Sequence, residues 1–170
     1  MKKVNPGCTN LDVHNLWVQV LALYFKIDDS FGIELQSNDP LTNTHDSVNY
    51  EVKSLRESGL ETVFLLQAKQ PGPDVPPRAA TGEEWEKALD ELNAKVEFIR
   101  HHANTIGHTF CLLAIGCEIQ FYCLSQWGGR FERWYHNNRA RTLTLANLSQ
   151  YCAFEDHMYG ILRELKVGHE

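Results

Sequence analysis

Two short, continuous apolar runs, Val63–Leu66 and Phe110–Ile115, stand on either side of one long amphipathic segment, and this arrangement most restricts how the chain can fold. A strand with no polar alternation needs cover on both faces, so each run reads as a central strand of a sheet with helices on both sides. The segment between them, about Glu83 to Ala103, carries Trp85, Ala88, Leu89, Leu92, Val96 and Ile99 at helical spacing. It opens with Thr81-Gly-Glu-Glu84, a capping box, and Glu83–Lys87 and Glu91–Lys95 read as i,i+4 pairs on its wet side. A helix of this length joining two buried strands is the crossover that parallel pairing requires.

The remaining elements fit around that unit. A first amphipathic helix is expected from Leu11 to Phe25, with Val13, Leu16, Trp17, Val20, Leu21 and Tyr24 on one face and Thr9 with Asp12 as its capping box. Phe31–Gln36 reads as a short strand. Val48 to Leu55 alternates, with Val48, Tyr50 and Val52 on one face and Asn49, Glu51 and Lys53 on the other. Arg-Glu-Ser-Gly (56–59) then makes a hairpin connection to the strand Thr62–Lys69. Thr109–Ile115 and Glu118–Leu124 form two more strands around Gly116-Cys117. Arg130–Arg141 reads as irregular, and Phe154–Leu165 as a final helix with Phe154, Met158, Ile161, Leu162 and Leu165 on one face. The order is α-β-β-β-α-β-β-α, an α/β fold with a mixed central sheet flanked by α-helices.

At 170 residues the chain has the size of one domain, here 1–170, with a core of about 11–124 and a C-terminal loop and helix over 125–170. No apolar stretch is long enough for a membrane span, and the charged start Met-Lys-Lys-Val-Asn-Pro-Gly lacks the apolar run of a secretory signal. Five cysteines without a Cys-x-x-Cys pair argue against a disulfide framework or a zinc site. They read as buried thiols in a reducing compartment, which implies an intracellular protein of the cytoplasm or nucleus. The net charge of −6 opposes non-specific nucleic-acid binding by the whole surface and leaves room for a local basic patch.

Phosphate-binding glycine loops, His-Glu-x-x-His and G-x-S-x-G are all absent. His101 and His102 read as a solvated helix C-terminus, beside Arg100, and Cys111 near His108 as a thiol inside an apolar strand. The informative feature is the end of the third strand. Gln67 and Lys69 lie two apart and so point to one side, and Pro71 to Pro77, with four prolines in seven residues, cannot continue the sheet. A lysine at a strand end is often a snorkelling residue. Here, however, the acidic Asp46 begins the preceding strand, and the hairpin brings that strand beside Gln67.

In element order and in these residues, about Leu11 to Leu124, the sequence resembles the PD-(D/E)xK phosphodiesterases of the restriction-endonuclease-like superfamily, nearest to fungal members. Those carry an apolar third strand ending in Glu-x-Lys-Pro or a close variant; Val63 to Pro71 reads Val-Phe-Leu-Leu-Gln-Ala-Lys-Gln-Pro. A later apolar strand ending in Ala-Ile-Gly and an aromatic-rich strand correspond to Ala114-Ile115-Gly116 and Ile119–Tyr122. The resemblance implies a restriction-endonuclease-like mixed sheet and metal-dependent hydrolysis of nucleic-acid phosphodiesters, with Mg²⁺ or Mn²⁺ as cofactor. The catalytic residues would be Asp46, Gln67 and Lys69, with Asp46 and Gln67 as the metal ligands. Glu51 is the alternative acid unless it is simply a solvent-face residue, and Glu34 is an auxiliary candidate.

Gln67 stands where the family has an acid. A neutral amide lowers the charge of the site, so the resemblance equally implies a second reading, a catalytically inactive domain that binds nucleic acid or protein. For a nucleic-acid partner, Arg130, Arg133, Arg139 and Arg141, interleaved with Phe131, Trp134 and Tyr135, would track phosphates and stack bases. The same segment reads equally as an arginine-rich loop that packs its aromatics on the sheet. The acidic side of the long helix, Glu83, Glu84, Glu86, Asp90 and Glu91, would face away from any duplex. Cleavage of both strands of a duplex would favour a homodimer, and targeting a protein partner.

Overall fold

The computed structural model describes residues 10–26, 30–36, 47–56, 59–69, 79–103, 108–124, 129–134, 142–144 and 148–167. The first helix, α1, spans Asn10–Tyr24 and is followed by strands β1 (Phe31–Gln36), β2 (Ser47–Arg56) and β3 (Gly59–Lys69). Helix α2 (Gly82–Ala103) leads to β4 (Thr109–Ile115) and β5 (Glu118–Leu124). Two short strands, β6 (Glu132–Arg133) and β7 (Leu143–Thr144), precede α3 (Leu148–Val167). The fold is α/β, built on a mixed and mostly antiparallel sheet with three helices.

The sheet runs β1-β2-β3-β4-β5-β6, with β7 pairing β5 beside Glu118 and Ile119. Among the described strands only β3 and β4 are parallel, as the α2 crossover between them requires. The turn between β4 and β5 needs two residues, with Gly116 at φ 60 in its first position, where a II′ hairpin turn takes glycine. Arg56 pairs with Gly59 at the other hairpin, where Gly59 adopts φ 117. Within β2–β3 the register shifts between Val52 and Lys53, leaving Val63 as an extra residue on β3. The bulge reverses the alternation, so Val63 and Phe64 both join the same core.

Each face of the sheet has its own core. On one side Phe64, Leu66, Ala68, Phe110, Leu112 and Phe121 pack against Trp17, Leu21 and Phe25 from the α1 region and against Phe154, Met158 and Ile161 of α3. On the other, Leu65, Cys111, Leu113, Ile115 and Tyr122 pack against Trp85, Ala88, Leu92 and Val96 of α2. Both faces of β3 and β4 are therefore covered, which their uninterrupted apolar sequences require. The capping box of α2 forms as expected: Glu84 N donates to Thr81 Oγ1 at 3.3 Å, and Thr81 N donates back to Glu84 Oε2 at 2.7 Å. Arg56 Nη2 donates to Leu165 O at 3.2 Å, supplying a cation to one of the last carbonyls of α3.

Several expectations change. The segment expected to be irregular contributes β6, and its Phe131 and Trp134 pack into the two cores. Helix α3 begins at Leu148, six residues earlier than its apolar stripe suggests. Cys111 is buried, whereas Cys117 and Cys152 are exposed, because the first sits in a hairpin turn and the second on the outer side of α3. All four described cysteines are free thiols. The capping residue Thr9, the Asp12 side chain, the Pro71–Pro77 stretch and the His101–His102 side chains lie outside the described residues. No described helix is long and apolar enough to cross a membrane.

Thr81→Ala is expected to lower unfolding free energy by about 0.5–2 kcal/mol through loss of the cap. Phe64→Ala, at a fully buried site, should cost about 3–5 kcal/mol. Leu60→Ala, at 51 % exposure, should stay within about 0.5 kcal/mol, all three read from urea midpoints.

Candidate functional site

On the α2 face, the register sets β2 and β3 side by side, with Asn49 opposite Gln67 and Glu51 opposite Leu65. Gln67 and Lys69 share this face, since they flank Ala68, which belongs to the opposite core. Gln67 is buried to 4 % exposure, and Lys69, one strand position nearer the end, is half-buried. Both reach the same residue of α2. Gln67 Nε2 donates to Glu91 Oε2 at 3.1 Å, and Lys69 Nζ forms an ion pair with that same oxygen. The backbone of Lys69 is also held, because its carbonyl accepts from Gly116 N at 3.1 Å.

Glu91 is the site residue that the sequence reading placed wrongly. It was assigned to the wet acidic side of α2 with Lys95, yet it turns to the sheet, and Lys95 is buried to 6 % exposure. Helical geometry accounts for this. Glu91 follows Ala88 by three residues and Lys95 follows it by seven, so both lie along the edge of the apolar stripe facing β3. That edge position was the available signal, and the i,i+4 charge pairing obscured it. Glu83, Glu86, Lys87 and Asp90 do face solvent.

The acids on β2 divide. Asp46 lies outside the described residues; it is the residue before Ser47, which pairs with Lys69. Glu51 is not on a solvent face. It is buried at 2 % exposure and accepts from Thr62 Oγ1 at 3.4 Å, with Lys53 Nζ 3.8 Å from the same carboxylate oxygen. Lys53 also pairs with Glu34 at 2.6 Å, so the edge-strand acid Glu34 is tied to a neighbouring lysine at the surface. Asn49, opposite Gln67, is buried.

One atom of this constellation lacks a partner. Gln67 Oε1 is buried and makes no hydrogen bond. An amide oxygen is a hard donor of the kind Mg²⁺ and Mn²⁺ accept, so the chemistry of this orphaned atom suits such a cation. Among the described residues there is no group of three His, Cys, Asp or Glu side chains arranged to hold a metal ion.

The described part of the expected arginine patch, Arg130 and Arg133, does not adjoin these residues. Arg130 and Arg133 are exposed, and Arg133 pairs with Tyr122 on β5, so its strand is three strands from β3, on the order of 14 Å across the sheet. Phe131 is buried in the α2-side core, and Trp134 packs on Phe110 and Phe121, so neither ring is presented for base stacking. Arg139, Arg141 and Tyr135 lie outside the described residues. His108 does not meet Cys111; its Nε2 lies 2.7 Å from Cys123 Sγ, and its ring stacks on Phe110.

The buried thiols are poor nucleophiles. Burial pushes Cys111 well above its ordinary value, partly opposed by Lys95. Burial, aided by Glu164 and Glu132, raises Cys123 to about 11. Both groups keep their protons in the folded chain at pH values where they ionise in the unfolded one. The Cys123 contribution to stability is thus complete below the ordinary thiol pKa and declines as pH rises from there toward about 11, and that of Cys111 changes in the same direction. Urea midpoints should accordingly fall between pH 8.5 and 10.5, and Cys123→Ser should reduce that fall.

Comparison with family models, with curated proteins and with solved structures finds no match to this chain.

Proposed function

We propose that this chain is a restriction-endonuclease-like domain of the PD-(D/E)xK type that hydrolyses nucleic-acid phosphodiesters with Mg²⁺ or Mn²⁺. The observation that carries the reading is the pair Gln67 and Lys69 at the end of a strand covered on both faces, turned to one side and gathered by a single carboxylate. The strand directions support it. Antiparallel β1–β3 followed by a helical crossover to a parallel β4 is the arrangement that the resemblance implies.

In this reading Gln67 Oε1 and Asp46 provide the oxygens for the cation. When bound, the cation supplies Lewis-acid polarisation of the phosphate and lowers the pKa of an attacking water. Lys69 holds that water by its ammonium and stabilises the negative charge that develops on the phosphate oxygens. Glu51, buried one strand position along, is the alternative acid. Arg130 and Arg133 serve as phosphate contacts away from the reacting group, with Arg139 and Arg141 as further candidates in the same segment.

A second reading, a silent domain that binds nucleic acid or protein, is favoured by one specific feature. The ammonium of Lys69 is already paired with Glu91, and position 67 brings no charge.

Incubation of the protein with plasmid and single-stranded DNA plus Mn²⁺ or Mg²⁺ separates the two. The hydrolase reading expects metal-dependent cleavage that Lys69→Ala reduces by two or more orders of magnitude while the protein stays folded. No cleavage, together with a flat metal titration, would leave the binding domain in front. For DNA binding, Arg130→Ala and Arg133→Ala should each lower the slope of log K against log salt by about 0.7–0.9, as loss of one phosphate contact does.

A further inference from the structure

The protein holds a buried amide oxygen with no partner beside a carboxylate that already has two. Gln67 is 4 % exposed, its Nε2 donates to Glu91 Oε2, and its Oε1 is buried without a hydrogen bond. Leaving such an oxygen unsatisfied is costly, and the fold would avoid it if the amide were free to turn. It is not free. An ionised carboxylate only accepts, so Glu91 can pair with the NH₂ end of Gln67 and not with its oxygen. The planar amide then directs Oε1 away from Glu91. Glu91 thus decides which end of Gln67 is presented, and it also compensates the positive charge of Lys69 beside it.

We propose that Glu91 is the positioning residue of this site: it fixes the Gln67 amide with its carbonyl oxygen offered to a divalent cation. The inference rests on the metal-dependent reading above and deepens it. A glutamine can stand at an acidic position because a second carboxylate, on α2, sets the amide's polarity. Groups of this kind, which hold a metal ligand without touching the metal, typically change affinity by about 10- to 100-fold when removed.

The test is a cycle of Mn²⁺ affinities by calorimetry and electron paramagnetic resonance, in the wild type, Glu91→Gln, Gln67→Glu and the double variant. Urea midpoints for each confirm folding. A glutamine at 91 can pair with Gln67 in either orientation, so Glu91→Gln should weaken Mn²⁺ binding by tenfold or more. A carboxylate at 67 has two equivalent oxygens and needs no orienting. In the Gln67→Glu background the same Glu91→Gln change should therefore cost less than threefold. Equal affinity of the wild type and Glu91→Gln would overturn the proposal. A loss of the same size in both backgrounds would also overturn it, because Glu91 would then be acting through its own charge or as a ligand.

A wild type that binds no Mn²⁺ would overturn the hydrolase reading and this inference together, which tells that failure from the other two. Should a variant fail to fold, the side-chain amide resonance of Gln67 in the wild type gives an independent readout. Slow hydrogen exchange of its NH₂ is expected, and exchange as fast as that of an exposed glutamine would refute the fixed orientation.

Discussion

Covering β3 on both faces is the constraint from which the architecture follows. Its residues Val63 to Leu66 leave no polar side to give to water, so α1 and α3 must close one face and α2 the other. Because α2 has to travel from the end of β3 back to the start of β4, the same requirement fixes the single parallel pairing in the sheet. The polar residues at the end of β3 then lie beneath α2, and the helix must provide for them. Glu91 does so with one carboxylate oxygen that serves both Gln67 and Lys69.

A line of alternating charge crosses this face. Glu34, Lys53 and Glu51 are joined from the sheet edge inward, and Glu91 with Lys69 forms a second pair at the end of β3. The exposed end of that line is screened by water and salt, so it adds little to stability. The half-buried pair of Lys69 and Glu91 is different in kind. Removing one member would leave the other partly desolvated, which costs far more than the loss of a surface pair. The side chains of the proposed site are therefore also held by the fold's own electrostatics.

Much of the fold was legible because burial left plain patterns. Strands β1, β4 and β5 have the bounds that their sequences indicate, and the capping box of α2 is formed by the residues that announce it. The start of β3 was less clear: Gly59–Glu61 has little strand character and joins the sheet through its ladder with Leu55 and Arg56 of β2. β6 and β7, of two residues each, depend wholly on pairing to β5 and carry no period of their own. In the site, the shared side of Gln67 and Lys69 followed from strand geometry. The roles of Glu91 and the burial of Glu51 did not, since each is charged and each has a nearby lysine that suggests a solvated pair. Only tertiary contacts, Glu91 with Gln67 and Lys69 and Glu51 with Thr62, turn those charges inward.

The division of labour between α1 and α3 bears on how the chain is made. As residues leave the ribosome in order, α1 is available early to cover Phe64 and its neighbours, and α2 can close its own face once β5 and Phe131 have followed. Phe121, Ile119 and Leu143, by contrast, share a core with Phe154, Met158 and Ile161, which emerge after them. The core shared by α1 and α3 therefore stays open on one side until α3 has been synthesised, and Arg56 then ties that helix's last turn to the hairpin at the far end of β2. Nascent chains halted before α3 would display this uncovered surface, which makes them natural clients for a holding chaperone.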